Sequence, residues 1–193
     1  MKKQFKFFLG FYVAFLIFGA ACNSLIEDDC GPFPDKYNIT SLDWDSSATN
    51  NPILFSDLEI KIHTVGDFFF SQRSSFNLFT PTYACSPIPA ETDDLLLNLE
   101  ITSGADYNPM YTQGTNLIDL FDVEVFYSRE GNSETFSLVE FLSMDRKFPD
   151  RMILKLNTPP AANGDFSFVF KFTIDGAELD YFEFNTDAFQ LQI

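Results

Sequence analysis

Residues 165–174 read Asp-Phe-Ser-Phe-Val-Phe-Lys-Phe-Thr-Ile, and they decide the fold. Phe166, Phe168, Phe170, Phe172 and Ile174 occupy every second position. Successive side chains of a strand point to opposite faces, so this spacing puts five large apolar groups on one side. A helix would scatter them around its axis. The stretch is therefore expected to be a strand with one face in a core.

The same period recurs outward from it. Asp175-Gly176 reads as a hairpin turn, with Tyr181–Asn185 as the returning strand. Phe189, Leu191 and Ile193 alternate with Gln190 and Gln192. Upstream, Leu58, Ile60 and Ile62 alternate with Glu59, Lys61 and His63. Leu95, Leu97, Leu99 and Ile101 are expected on one face of a strand over 94–102, and Phe121, Val123, Val125 and Tyr127 on one face of 121–128. The first strand, around 37–45, is less regular. Two short helices are expected in connections, one over Asn116–Leu120 with Thr115 as its cap and one beginning at Ser137. Short strands separated by Gly, Pro and Asn turns predict an all-β, two-sheet antiparallel sandwich of immunoglobulin-like type, with a jelly roll as the alternative. One such domain is expected over residues 37–193.

The first 21 residues have a different character. Lys2, Lys3 and Lys6 precede the uncharged run Phe7–Ala21, FFLGFYVAFLIFGAA. It is shorter than the ~20 apolar residues that span a bilayer. A basic start, a short apolar core and small residues before a cut describe an export signal peptide. Gly19, Ala20 and Ala21 stand directly before Cys22. This resembles the lipobox of bacterial lipoproteins, which implies a membrane anchor through lipid on Cys22. The lipobox prefers a branched residue where this chain has Gly19, which leaves ordinary cleavage at an A-x-A-like site as the alternative. A tether is expected over 22–36, CNSLIEDDCGPFPDK.

The chain has three cysteines, Cys22, Cys30 and Cys85. An odd count in an exported protein leaves one thiol otherwise employed. Lipid on Cys22 accounts for it and leaves Cys30 with Cys85 as a disulfide, the alternative being two free thiols. Closing that loop would stabilise the fold by about 4 kcal/mol.

Cleavage removes three lysines and no acid, so nine of the 12 basic residues remain against all 28 acidic ones, and the formal charge moves from −16 to −19. Nucleic acid wants a basic stripe, so it is not an expected partner. Anionic lipid is disfavoured for the same reason, which leaves membrane attachment to the acyl chains. The 19 Phe outside the signal segment, of 25 in all, are ample for a packed core.

The CGPFP segment at 30–34, the strand YNITSLDW at 37–44 and the F-x-F-x-I-D-G pattern at 170–176 look like small Bacteroidetes lipoproteins with a domain of unknown function. That resemblance implies a location and a β fold, and no activity. Asn23, where an Asp would signal inner-membrane retention by lipoprotein analogy, points to the outer membrane. The acidic run Glu27-Asp28-Asp29 is similar to the surface-export signal of these lipoproteins, which implies the outer leaflet, the periplasm-facing side being the alternative.

Little in the chain points to catalysis. The sole histidine, His63, lies on the polar face of its strand and is expected to be exposed. A Ser–His–acid or Cys–His triad needs that imidazole, and no serine sits in a G-x-S-x-G turn. Zinc lacks a ligand set. Asp43, Asp45, Asp175, Glu178 and Asp180 lie near expected strand ends, where calcium takes its oxygens, but none follows the D-x-[DN]-x-[DN]-G spacing. No metal and no cofactor is expected. Trp44, Tyr83, Tyr107 and Tyr111 are the candidate ligand-stacking residues, with YNPMYTQG at 107–114 the first stretch to test. The expectation is a non-enzymatic binding or structural module for a protein or glycan partner. The alternatives are an accessory glycan-binding module and a hydrolase using two carboxylates about 5–10 Å apart.

Overall fold

A computed structural model describes residues 34–48, 52–70 and 88–193, all within one compact unit. The expected signal segment, Cys22, Cys30, Tyr83 and Cys85 lie outside the described residues, and with them the expected anchor and disulfide.

The described residues form an all-β sandwich. Its eleven strands are β1 (Lys36–Ser46), β2 (Ile53–Leu54), β3 (Glu59–Phe69), β4 (Leu95–Ser103), β5 (Phe121–Tyr127), β6 (Asn132–Ser137), β7 (Arg151–Leu156), β8 (Gly164–Phe166), β9 (Phe168–Asp175), β10 (Tyr181–Asn185) and β11 (Phe189–Gln192). One antiparallel sheet runs β1-β3-β7-β5-β6 and a second runs β10-β9-β4. Four strands in the order β1-β3-β7-β5 against three in the order β4-β9-β10 is the arrangement of an immunoglobulin-type sandwich. β6 extends the larger sheet, and β2, β11 and β8 make a third, small sheet.

The deciding stretch behaves as its spacing requires: Phe166, Phe168, Phe170, Phe172 and Ile174 are all buried. Each such side chain contributes about 1.5–3 kcal/mol through burial. The stretch is two strands, because pairing changes partner at Ser167. Before it, β8 pairs with β11; after it, β9 lies between β4 and β10. Trp44 of β1 stacks on Phe184 of β10 at 4.4 Å between ring centroids, and Phe184 stacks on Phe170 at 4.8 Å. This aromatic column joins the two main sheets.

Several expectations need correction. The face drawn through Leu95, Leu97, Leu99 and Ile101 is broken by a register shift between Leu96 and Asn98. The extra residue turns the strand, so Leu96, Leu99 and Ile101 are buried while Leu97 is 55% exposed. A similar shift between Ile39 and Ser41 accounts for the irregular first strand, which begins at Lys36, the last residue assigned to the tether. Asp175-Gly176 is not a two-residue turn, since β10 starts only at Tyr181. Gly176 is required by close approach: a Cβ there would lie 2.7 Å from the Leu179 carbonyl oxygen and 3.3 Å from the Asp94 carboxyl carbon. Ile193 is exposed, past the end of β11.

Of the two expected helices, α1 (Leu138–Ser143) forms, capped by the Ser137 hydroxyl, which accepts the Glu140 N–H. Leu138 and Phe141 bury its inner side. The other is a single 3-10 turn, Ile118–Leu120. Asn116 rather than Thr115 serves it, its Oδ1 accepting the N–H groups of Ile118 and Ile101.

The registers define two ends. The chain enters β1 at Lys36, beside Phe69 of β3 and bridged to Glu91, and this is the entry end. Ser46, Glu59, Ser103 and Phe168 lie toward the far end.

Candidate functional site

Among the described residues, a cleft opens at each end of the sandwich. The entry-end cleft, about 430 Å³, is lined by Glu91, Tyr127, Arg129, Arg146, Lys147 and Asp150 among others. Lys36, Arg129, Arg146 and Lys147, a third of the chain's basic residues, gather around it. Each meets an acid. Glu91 contacts Lys36 at 2.8 Å, Arg129 at 3.0 Å and Lys147 at 3.5 Å. Asp93 contacts Lys147 at 2.7 Å and Lys36 at 2.8 Å. Arg146 pairs with Glu134 at 2.8 Å and lies over the Phe136 ring.

These contacts set the protonation states. Hydrogen bonds donated to Asp93 and Glu91 hold the Lys36 ammonium well above the usual lysine range. The hydrogen bond from Lys36 pulls Glu91 down, and hydrogen bonds from Lys147 and Lys36 do the same for Asp93. A general acid needs the opposite shift, so these two carboxyls suit structure rather than proton donation. Below them, Asp150 accepts from the Tyr37 hydroxyl and, at 2.6 Å, from the Ser128 N–H. The cleft is a clamp joining the start of β1, the lead into β4, the turn after β5 and the approach to β7.

The far-end cleft, about 410 Å³, lies between the 105–112 and 161–166 segments, with Asp106, Asn108, Thr112, Asn163 and Asp165 in its wall. Its front is the Tyr107–Gly114 stretch, which is built from local hydrogen bonds. Pro109 fixes the turn, and the Asn108 side chain accepts the N–H groups of Met110 at 2.9 Å and Tyr111 at 3.0 Å. Asp106 accepts the Gln113 N–H at 2.8 Å. Gly114 takes a φ of 78°, which favours glycine, and closes the loop onto the Ser103 carbonyl. Met110 stands at the tip, 80% exposed.

The structure does not gather the three aromatic candidates that it describes into one surface. Tyr107 is buried, its hydroxyl donating to the Thr158 carbonyl and its ring edge-on to Phe166. Tyr111 is half-buried, with its hydroxyl toward Asp119 at 3.3 Å. Trp44 turns a ring face to Phe184. All three serve packing. The five acids considered for calcium are also separated, with Asp43 and Asp45 on β1 and Asp175, Glu178 and Asp180 at the β9–β10 connection. Among the described residues, no group of three or more His, Cys, Asp and Glu side chains is placed to hold a metal. His63 is half-buried rather than exposed, held in register between Asp43 of β1 and Arg151 of β7 on the outer sheet face. No described helix is long and apolar enough to cross a membrane.

Sequence reasoning singled out the Tyr107–Gly114 stretch but valued its aromatics. Met110 was the residue to notice, an apolar side chain between Pro109 and Tyr111 in a turn that exposes it. The chain matches no protein-family model, no curated protein and no solved structure.

Proposed function

We propose that the chain is a lipid-anchored envelope protein whose immunoglobulin-like domain is a non-enzymatic binding module, and that its binding surface is the far end. The observation that carries this reading is Met110. It projects from an internally hydrogen-bonded loop beside the Asn108/Asn163/Asp165 cleft, at the opposite end from the entry of the tether into β1. A lipid on Cys22 would hold the entry end near the bilayer and leave the far end free. Met is a flexible, polarizable group suited to adaptable contacts, and a rigid loop presents it with little ordering cost. A protein partner fits a polar cleft with one apolar anchor better than a glycan, because the Trp44 and Tyr107 rings are engaged in packing.

Anchoring in the outer membrane, in its outer leaflet, follows from the resemblance of the 19–29 region to surface lipoproteins. The test is site-specific photocrosslinking in cells, with benzoylphenylalanine at Met110 and, as a control, at Thr173 on the outer face of β9. A discrete adduct from position 110 and none from 173 supports the reading. Equal yields, or none from either position, contradict it. Proteinase treatment of intact cells reads the leaflet: loss of the domain supports surface exposure, and survival places it facing the periplasm.

A further inference from the structure

β3 ends on Phe68 and Phe69 and Phe70 follows directly, the three being 65%, 40% and 52% exposed. Large apolar side chains exposed side by side in a soluble domain mark a contact surface. The register fixes where they are. Lys36 pairs with Phe69 and Tyr37 with Phe68, so the phenylalanines lie where the chain enters the domain. Lys36 is also bridged to Glu91 in parallel fashion, which places Ile88, three residues earlier and 69% exposed, at that same end. Among the described residues, β7 pairs only Glu59–His63 of β3, so the Thr64–Phe69 half continues as a ribbon with β1.

We propose that this Phe68–Phe70 tip, with Ile88, sits in the interfacial layer of the bilayer that holds the Cys22 lipid. The inference rests on the lipoprotein reading above. Two features select a bilayer over a protein or a second copy. Phe68 and Phe69, successive in the strand, point to opposite faces of the ribbon. A partner docked on either face would cover one set and leave the other in water, whereas an apolar medium entered tip-first takes both. The reach is also right: residues 23–35 separate the anchor from β1, which limits the tip to within roughly 45–50 Å of the lipid even at full extension. The basic residues of this end are paired with acids and the chain as a whole carries a net charge of −16, so the contact depends on apolar partition and suits uncharged headgroups. The tip would also orient the domain, directing the Met110 end away from the membrane.

The test uses the full-length lipidated protein reconstituted in phosphatidylcholine vesicles containing a carbene-generating phospholipid. After irradiation and trypsin digestion, lipid adducts should concentrate in the 62–73 peptide, at least fivefold over the 156–171 peptide. Phe68→Ser/Phe69→Ser/Phe70→Ser should abolish that excess while Cys22 stays acylated and the near-UV spectrum stays unchanged. Equal labelling of the two wild-type peptides, with Cys22 acylated and the protein floating with the vesicles, overturns the proposal and leaves the anchor standing. Intermolecular dimers formed by benzoylphenylalanine placed at position 69, with no excess of lipid adducts in the 62–73 peptide, overturn it in favour of a second copy. An unacylated Cys22 in protein that does not float overturns the lipoprotein reading itself, and the tip proposal with it.

Discussion

The Asp94 carboxylate accepts the backbone N–H of Ile39 at 2.7 Å, across 55 residues of sequence, at the point where β1 changes register. Tyr37, two residues earlier, gives its N–H to the Glu91 carbonyl at the outer edge of β1; the Ile39 N–H faces the same edge, and Asp94 supplies its acceptor. Its other oxygen accepts the Ala177 N–H at 3.3 Å, and its own carbonyl accepts from Phe148. One buried side chain thus ties β1 to the lead into β4 and to the β9–β10 connection.

Removing Asp94 leaves a buried N–H without a partner, which costs about 1–3 kcal/mol. Asp94→Ala should lower the urea-unfolding free energy by that amount or somewhat more, since two N–H groups lose their acceptor. Asp94→Asn keeps one acceptor oxygen and should fall between. Unchanged stability in Asp94→Ala would show that water replaces the carboxylate without cost.

Tyr107 is expected to matter for folding rather than for ligand contact. Tyr107→Phe loses one hydrogen bond, at about 0.5–1.5 kcal/mol, and Tyr107→Ala about 3–5 kcal/mol. Burial holds the hydroxyls of Tyr107, Tyr37 and Tyr127 above the ordinary tyrosine range, with Asp150 reinforcing the effect on Tyr37. A raised value means that these groups favour the fold below about pH 10, the value for an unfolded tyrosine, and that this contribution is lost as the pH climbs beyond it. Titration followed at 295 nm should show Tyr107, Tyr37 and Tyr127 ionising only as the circular dichroism signal collapses.

The entry-end clamp should show its sign in acid. Glu91 and Asp93 are depressed by their cations, so their contribution is fully present above the unfolded carboxylate range, about pH 4, and is lost as the pH falls below it through their depressed folded-state values. Lys147→Ala should reduce stability at pH 7 and leave a smaller drop between pH 5 and pH 2 than the wild type shows. Added salt should narrow the difference between the two proteins, because these pairs are partly exposed. A drop as large as the wild type's would mean that the ion pairs do not contribute.

The broken alternation in β4 gives a residue-level test of register. Leu97→Ser should change stability by less than ~0.5 kcal/mol, as surface substitutions do. Leu99→Ser, at a fully buried position, should cost more than about 2 kcal/mol. A reversal would mean that the unbroken Leu95/Leu97/Leu99/Ile101 face is correct.

These residues also show how far the sequence can be read. Where a strand runs without interruption, as from Phe168 to Ile174 or Phe121 to Val125, period-two alternation names the buried face. It fails at a bulge, because one extra residue reverses every later side chain, and nothing local in LLLNLEI announces it. β6 (NSETFS) and β7 (RMILKL) went unrecognised. β7 alternates, but with Ile153 between Arg151 and Lys155 on its outer face the pattern is short and mixed. In the candidate site, the 107–114 stretch stood out in the sequence, whereas the burial of Tyr107 did not. That burial depends on Thr158 and Phe166, about 50 and 60 residues away, and no local pattern encodes such a partner.

Everything proposed about orientation, from the far-end binding surface to the bilayer-facing tip, depends on lipid at Cys22. Growth with an alkyne-tagged fatty acid, followed by click labelling and membrane fractionation, tests this most directly. The account predicts a labelled wild-type protein in the membrane fraction, and an unlabelled Cys22→Ser protein that leaves it. A wild-type protein that carries no label and fractionates as soluble would contradict it.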